Sequence, residues 1–176
     1  MHKQLKRIGP LPALALTLAL GGVAVAGLAR SRAGSAATVA RPEVKVALTG
    51  TVERGGEQIA LDRAEAVKPG EVLDWRITSV NEGTGAASEY KAVGQIPEGT
   101  VFIAGSAAGE NGSTVTYSID GGKTFSTQPI IEQRQPDGTV KRVAAPVSMY
   151  TQVRYEWKDD LAAGGRVGAS YKVRVK

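Results

Sequence analysis

Apolar and polar residues alternate along most of the chain from residue 43 onward. This period of two places successive side chains on opposite faces, as in a strand with one buried face and one face in water. We find no helical stripe longer than a turn or two in this part of the sequence. The pattern predicts strands in six runs: residues 43–48, 58–62, 73–78, 114–119, 153–158 and 171–176.

Turn sequences separate these runs. Residues 68–71 (KPGE) have the Pro and Gly spacing of a type II turn, and residues 97–99 (PEG) have that of a type I turn. Residues 81–83 (NEG) and 136–138 (PDG) are typical of hairpin connections. Short alternating strands joined in this way predict an all-β domain over residues 43–176, built as an antiparallel β-sandwich of seven to nine strands.

The start of the chain has the pattern of an export signal. Lys3, Lys6 and Arg7 precede an uncharged apolar run over residues 11–29, and residues 24–26 (AVA) form a small-residue cleavage site. We predict a signal peptide over residues 1–29. An uncleaved signal-anchor helix is the alternative, because 19 uncharged residues nearly span a bilayer.

A short segment without strand pattern separates this signal from the first strand. Residues 30–42 are small, polar and unpatterned, which predicts a flexible linker. An exported protein with such a linker is expected in the periplasm or at the cell surface, attached to the membrane if the N-terminal helix is not cleaved.

Two residue types that support much enzyme chemistry are nearly absent. The chain has no Cys, and its single His lies at position 2, inside the predicted signal. A cleaved chain would therefore lack the commonest general base, the commonest zinc ligands and every Ser-His or Cys-His pair. We predict that the protein is not an enzyme, and no cofactor or catalytic residue is assigned.

The basic charge of the chain is concentrated at its N-terminus. The formal net charge is +5, from 22 Lys and Arg against 17 Asp and Glu. Residues 1–40 hold five of the basic residues and no acidic ones, so the remainder has 17 of each sign. Without a basic surplus the electrostatic basis for nucleic-acid binding is missing, and no nucleic-acid partner is expected.

Residues 118–125 (SIDGGKTF) match the Asp-box pattern of sialidases. Asp120 can accept backbone hydrogen bonds across a turn, Gly121 and Gly122 can take positive φ, and Phe125 can return to the core. The motif occurs once, whereas a propeller repeats it in each blade. We interpret it as a structural turn, and a glycoside hydrolase accessory domain remains a remote alternative.

A family resemblance extends over residues 44–176. Its ordered landmarks are Pro69-Gly70-Glu71, Trp75-Arg76-Ile77, Asn81-Glu82-Gly83, Ala86-Ala87, Pro97-Glu98-Gly99 and Val101-Phe102. This series resembles the conserved-repeat domain, a domain of unknown function in bacterial surface proteins. The resemblance implies an immunoglobulin-like sandwich in envelope, adhesin or surface-layer proteins, with no catalytic residues. One position departs from it, since members have Asp two or three residues before the second Pro, where this chain has Gly94-Gln95-Ile96.

The aromatic residues distinguish two binding hypotheses. Trp75 and Trp157 share faces with other apolar residues, which predicts that both pack in the core. A carbohydrate-binding module, the alternative function, would need two or three aromatic side chains on one exposed face. Tyr90 and Tyr150 are the best candidates for surface contacts. The residues assigned structural roles are Trp75, Asn81, Pro97, Asp120, Gly121, Gly122, Phe125 and Trp157.

Residues 126–150 exceed what a minimal sandwich needs, and they form either a contact surface or a plain extra hairpin. The last strand adds a second candidate surface, because its outward basic residues would join those of residues 154–158 if the two strands were neighbours. That strand could also be a free edge open to strand addition. The partner-contact candidates are Ile130, Ile131, Val147, Met149, Tyr150, Arg174 and Lys176.

These observations predict an exported, non-catalytic structural or interaction module of the bacterial cell envelope. Its expected partners are other envelope proteins, in a surface-layer, pilus or adhesin assembly. Cell-wall polysaccharide is the partner if the protein is instead a carbohydrate-binding module. Asp159-Asp160 could bind Ca²⁺, but no D-x-D-x-D spacing supports a site, so we interpret the pair as a solvated turn and assign no metal.

Overall fold

A computed structural model describes residues 39–176 of the chain. The predicted signal or anchor over residues 1–29 and most of the predicted linker lie outside the described residues. The described part is all-β and antiparallel, with one short 3₁₀ helix over Val147–Met149. Its strands are β1 (Val44–Arg54), β2 (Glu57–Ala60), β3 (Val72–Asn81), β4 (Lys91–Gln95), β5 (Thr100–Phe102), β6 (Ala108–Gly109), β7 (Thr114–Ser118), β8 (Ile130–Arg134), β9 (Val140–Ala144), β10 (Gln152–Glu156) and β11 (Arg166–Val175).

The strands form two larger sheets and a separate hairpin. The first sheet has the order β2-β1-β3-β11-β5, with β6 also paired to β11. The second sheet has the order β4-β10-β7, and β8 pairs with β9. The inner faces of the two larger sheets share one apolar core, which gives the sandwich-like arrangement expected from the alternation.

Two tyrosines connect the sheets across this core. The hydroxyl of Tyr155 on β10 donates to the carbonyl of Ser170 on β11 at 2.6 Å. The hydroxyl of Tyr171 on β11 donates to the carbonyl of Gln95 on β4 at 2.5 Å. Burial raises the pKa of Tyr171 to about 12, and burial also raises that of Tyr155, so both phenols remain neutral donors at physiological pH.

All six strands predicted from alternation are present, but the described residues contain eleven strands rather than seven to nine. The additional strands were not apparent because they show little apolar alternation. The inward positions of β4 are Ala92 and Gly94, whose side chains are too small to mark a face. β5 and β6 have only three and two residues, too few to establish a period.

The predictions of a shared basic face and of a free C-terminal edge are both wrong. β10 and β11 belong to different sheets, so Arg174 and Lys176 do not join the charges of β10. β11 pairs with β3 on one side and with β5 and β6 on the other, so it is not an edge strand. Arg174 donates to the Gly70 carbonyl at 3.1 Å.

The turn at residues 68–71 has the predicted conformation and is fastened to β1. The Glu71 N–H donates to the Lys68 carbonyl at 3.1 Å, and Gly70 has φ 89°. The Arg54 guanidinium donates to both carboxylate oxygens of Glu71, at 2.8 and 3.0 Å, and the Lys68 N–H donates at 2.7 Å. These hydrogen bonds, the one from Arg54 being the strongest, lower the pKa of Glu71 from 4.5 to about 2.

This ion pair predicts an acid-dependent contribution to stability. A carboxylate with a lowered pKa in the folded state stabilises the fold above its ordinary pKa, and the contribution is lost as the pH falls towards the folded value. We therefore expect Glu71→Gln to be less stable than wild type at pH 6, with a difference that shrinks between pH 4.5 and about 2. Urea denaturation across this range measures it. Glu98→Gln is the control, because no described side chain hydrogen-bonds with exposed Glu98, and an equal pH trend in both variants would contradict the prediction.

Candidate interaction surfaces

The β8–β9 hairpin stands apart from the two larger sheets. Among residues 39–176, neither strand pairs with any strand other than its partner. At its base the Ala145 N–H donates to the Pro129 carbonyl at 2.9 Å, and both residues are buried. At its tip the Thr139 hydroxyl and N–H donate to Asp137, which lowers the pKa of that carboxyl. Both outer edges of the hairpin therefore lack a strand partner in the described part of the chain.

One face of this hairpin has an exposed apolar side chain at each end, with Arg134 opposite Val140. Ile130 is 49% exposed and Val140 is 56% exposed, and the register places both on the same face. Between them Glu132 lies opposite Arg142, a cross-strand pair of opposite charge. On the other face Ile131 is half-buried. A two-stranded hairpin is at best marginally stable in water by itself. Contacts with another molecule would therefore add to the stability of this hairpin.

The 3₁₀ turn after the hairpin supplies less exposed surface than the sequence suggested. Val147 and Tyr150 pack against the core. The Tyr150 ring lies 5.8 Å from that of Phe102 and 4.9 Å from that of Tyr117, measured between centroids. Met149 is the exposed apolar residue of this turn. Of the contact candidates in residues 126–150, Ile130 and Met149 are thus exposed, while Ile131, Val147 and Tyr150 are half-buried.

The Asp-box segment forms the predicted turn. Asp120 accepts hydrogen bonds from the Thr124 hydroxyl at 2.6 Å, the Thr124 N–H at 3.0 Å and the Ser118 hydroxyl at 2.7 Å. These bonds hold the pKa of Asp120 well below its ordinary value. Gly121 and Gly122 have φ 74° and 91°, a region that glycine adopts without steric cost. The Asp120 carboxylate is committed to closing the turn.

The prediction that the Phe125 ring returns to the core is wrong. The Arg154 guanidinium lies 4.0 Å from the centroid of the Phe125 ring, a cation–π contact. Arg154 points outward from β10, since its neighbours Val153 and Tyr155 are the buried residues of that strand. Phe125 therefore covers the outer face of the second sheet.

The two tryptophans differ in their environments. Trp157 is buried, stacks on Tyr90 at 5.5 Å and donates its indole N–H to the Glu110 carbonyl at 2.9 Å. Trp75 is half-buried and packs against the core. Its ring lies over Gly50 on β1, beside Leu61. The large hydrophobic residues exposed among residues 39–176 include no aromatic one.

Asn81 and Pro97, two residues with predicted structural roles, lie where the chain turns between strands. Their hydrogen bonds differ from those of the predicted turns. Asn81 is fully buried at the end of β3 and bonds to five backbone groups, so it organises the loops rather than forming a simple turn. The Pro97 carbonyl accepts from the Thr100 N–H at 3.1 Å, and Gly99 has φ 76°. This turn begins at Pro97 itself, one residue later than the type I spacing predicted.

An apolar flank that sequence reasoning missed lies at the start of the first sheet. It consists of Val46, Leu48, Leu61 and Trp75. Val46 and Leu48 are 58% and 53% exposed, although they share a face of β1 with fully buried Val52. Leu48, Leu61 and Trp75 line a shallow cavity of about 280 Å³. The alternation predicted that these side chains point inward, but it contains no signal for whether a second sheet covers them.

Polar surface features do not converge on a metal site in the described part. Among residues 39–176, no group of three or more His, Cys, Asp or Glu side chains is placed to hold a metal ion. Asp159 and Asp160 are both exposed in the loop after β10. A groove of about 420 Å³ is open and lined by side chains of both charges, including Glu156 and Lys158.

Comparison of the chain with protein-family models, with curated proteins and with solved structures finds no match. No helix within residues 39–176 is long and apolar enough to cross a membrane.

Proposed function

We propose that this protein is an exported, non-catalytic interaction module of the bacterial cell envelope that acts by protein–protein contact. The observation that carries the proposal is the β8–β9 hairpin, which exposes Ile130 and Val140 and has both edges unpaired among the described residues. Exposed apolar residues on an isolated hairpin are typical of a segment that completes its packing on another molecule.

The proposed assignment of the domain is to the immunoglobulin-like sandwiches of the conserved-repeat family. The ordered landmarks from Pro69 to Phe102 support it, together with two antiparallel sheets around one core. The export pattern over residues 1–29 supports an envelope location. In this assignment the sandwich is a rigid scaffold, and the hairpin carries the contact.

The hairpin can bind in two ways at once. Its unpaired edges offer backbone N–H and C=O groups to a strand of a partner, as in strand addition. Ile130 and Val140 offer apolar surface, while Glu132 and Arg142 fix the register by charge. The partner that fits this surface is an envelope protein with an exposed strand edge beside a small apolar patch.

This function predicts a partner that depends on the hairpin. We expect the double variant Ile130→Asp and Val140→Asp to retain at least about ten-fold less of the partner, because apolar anchors of an interface contribute about 1–2 kcal/mol each. The measurement is affinity capture of the tagged full chain from the native host, with mass spectrometry of proteins retained by wild type and lost by the variant.

A matched control separates the hairpin from exposed apolar residues in general. Val67 is an exposed valine in the loop before β3, and Val67→Asp should retain the partner at the wild-type level. Far-ultraviolet circular dichroism of each variant shows whether the sheets remain folded. The proposal fails if wild type is recovered alone, or if both sets of variants retain the same proteins.

A further inference from the structure

The turn between β6 and β7 contains two exposed residues, Asn111 and Gly112. Asn111 has φ 53° and Gly112 has φ 64°, as the two central residues of a type I′ turn do. Positive φ is uncommon for a residue with a side chain, so other backbone conformations of Asn111 lie close in energy. The bond that closes the turn, from the Ser113 N–H to the Glu110 carbonyl, is long at 3.4 Å. The turn is therefore held weakly.

Two chemically complementary groups of this turn have no partner in the described part of the chain. The Asn111 carboxamide forms no hydrogen bond with residues 39–176, and the Gly112 N–H has no acceptor there. The space beside the Gly112 Cα is also open, since an added Cβ would meet nothing within 4 Å. A backbone nitrogen and a carboxamide carbon of adjacent residues are thus both free to approach each other.

The turn at Asp137 and Gly138 has a similar sequence and different hydrogen bonds. The Gly138 N–H donates to the Gln135 carbonyl at 3.0 Å. The Asp137 carboxylate accepts from the hydroxyl and the N–H of Thr139, at 2.6 and 2.9 Å. Both groups that are free in the β6–β7 turn are therefore bound in this one, although each turn is exposed.

The second asparagine of the chain is held even more firmly. Asn81 is fully buried, and both ends of its carboxamide are hydrogen-bonded to backbone groups. The N–H of the next residue, Glu82, donates to the Glu43 carbonyl at 2.8 Å. Exposure, a following glycine and two free reacting groups therefore occur together at only one of the two asparagines.

We propose that Asn111 is a site of spontaneous deamidation in the folded protein. When the turn opens locally, the Gly112 nitrogen attacks Cγ of Asn111, and a bond forms between these atoms as the Cγ–Nδ2 bond breaks. Ammonia leaves with the proton of the Gly112 N–H, and a cyclic succinimide remains. Water then opens the ring at either carbonyl, which gives Asp or isoaspartate at position 111. This proposal does not depend on the envelope partner proposed above.

The two products have different consequences for the fold. Glu110, the residue before the site, accepts from the Trp157 indole N–H at 2.9 Å and donates its own N–H to the Gly168 carbonyl at 2.9 Å. Isoaspartate adds a methylene group to the main chain, which a two-residue turn cannot absorb without moving these neighbours. We expect the isoaspartate form to change the fluorescence of Trp157. The Asp form should leave it unchanged.

Peptide mapping by mass spectrometry measures the reaction in the folded, detergent-solubilised full chain during incubation at pH 8. Exchange of the amide –NH₂ for –OH raises the mass of the peptide, and chromatography separates isoaspartate from Asp. Asn111 should convert at least about a hundred-fold faster than Asn81, whose release requires opening of much of the fold. The rate should rise with pH, because the attacking nitrogen must lose its proton.

Asp137→Asn is the matched control, because it places the same Asn–Gly sequence in another exposed turn of the same molecule. Its amide oxygen can still accept from Thr139, and the Gly138 N–H remains bonded. We expect position 137 of this variant to deamidate at least about ten-fold more slowly than Asn111, because its turn opens less often. In concentrated urea the two positions should react at similar rates, since both asparagines then precede a glycine in an unfolded chain.

Three results would overturn the proposal. One is an Asn111 that converts no faster than Asn81 in the folded chain. Another is an equal rate at positions 111 and 137 of the folded Asp137→Asn variant, which would show that the hydrogen bonds of the turn do not select the site. The third is a glycan on Asn111 in protein from the native host, which would block the amide and assign the residue to a different modification.

Discussion

Replacing Asn81 by Asp is expected to destabilise the protein by about 4 kcal/mol, near the top of the range for single substitutions. The Asn81 amide N–H₂ donates to the carbonyls of Gly85, Leu161 and Ala162 at 2.8, 2.9 and 3.2 Å. A carboxylate in this position would face those oxygens without a donor. Because the site is fully buried, water cannot compensate.

The acceptor side of Asn81 explains why the effect should extend beyond one loop. Its Oδ1 accepts from the Glu43 N–H at 3.0 Å and the Gly83 N–H at 3.1 Å. One side chain thus joins the residue before β1, the loop after β3 and the loop before β11. Substitution is expected to loosen these three segments together.

Guanidinium denaturation followed by tryptophan fluorescence measures the Asn81→Asp effect, since Trp157 is buried close to this loop system. The loss should diminish at low pH, where a protonated Asp regains one donor. Asn111→Asp is the control, because Asn111 is exposed in a turn, and it should change stability by less than about 0.5 kcal/mol. Equal losses in both variants would contradict the role assigned to Asn81.

Replacing Gly94 by Asp is expected to cost at least about 3 kcal/mol, from overpacking combined with a buried charge. Gly94 is buried on the inner face of β4, and a side chain there would collide with the Tyr171 ring of the opposite sheet. Its φ is not positive, so the requirement for glycine is one of space and not of backbone conformation.

The neighbouring residue provides the control for Gly94→Asp. Gln95 is exposed, and Gln95→Asp should change stability by less than about 1 kcal/mol. A double-mutant cycle of Gly94→Ala with Tyr171→Leu isolates the contact, and the cost of the alanine should be smaller when the ring is absent. Additive effects would show that Tyr171 is not the obstacle. Urea denaturation at pH 7 measures all the variants.

Local pattern predicted much of the fold. The alternating runs correspond to β1, β2, β3, β7, β10 and β11, and the turn at residues 68–71 has the predicted geometry. Asp120 also closes its turn as expected. These features depend on residues close together in the sequence, whose steric and hydrogen-bonding preferences are visible there. β4 was missed because Ala92 and Gly94 bury little apolar area, although Gly94 leaves the space that the Tyr171 ring fills.

Strand neighbours were not predictable in the same way. The charges of β10 and β11 suggested one basic face, but the strands belong to different sheets. The C-terminal strand suggested a free edge, yet β5 and β6 cover it. An open edge lies instead at the first half of β1, near the other end of the described chain. Pairing of distant segments depends on the whole topology, which no local window contains.

The partner-contact candidates were also predicted only in part from the sequence. The sequence indicated that residues 126–150 exceed the sandwich, and Ile130 and Met149 are indeed exposed. It did not distinguish them from Val147 and Tyr150, which turn back onto the core beside Phe102 and Tyr117. The direction of an apolar side chain in a non-alternating segment depends on tertiary packing.

By itself, the sequence determined which side chains share a face, because a period of two is a local property of an extended chain. Val46 and Leu48 follow the same alternation as Leu73 and Ile77, and all four lie on the inner face of the first sheet. Only the tertiary structure decided that the second pair is covered and the first is exposed. Whether an inner-face side chain is buried depends on how much of the first sheet the three-stranded second sheet covers. That extent is set by the pairing of segments far apart in the chain.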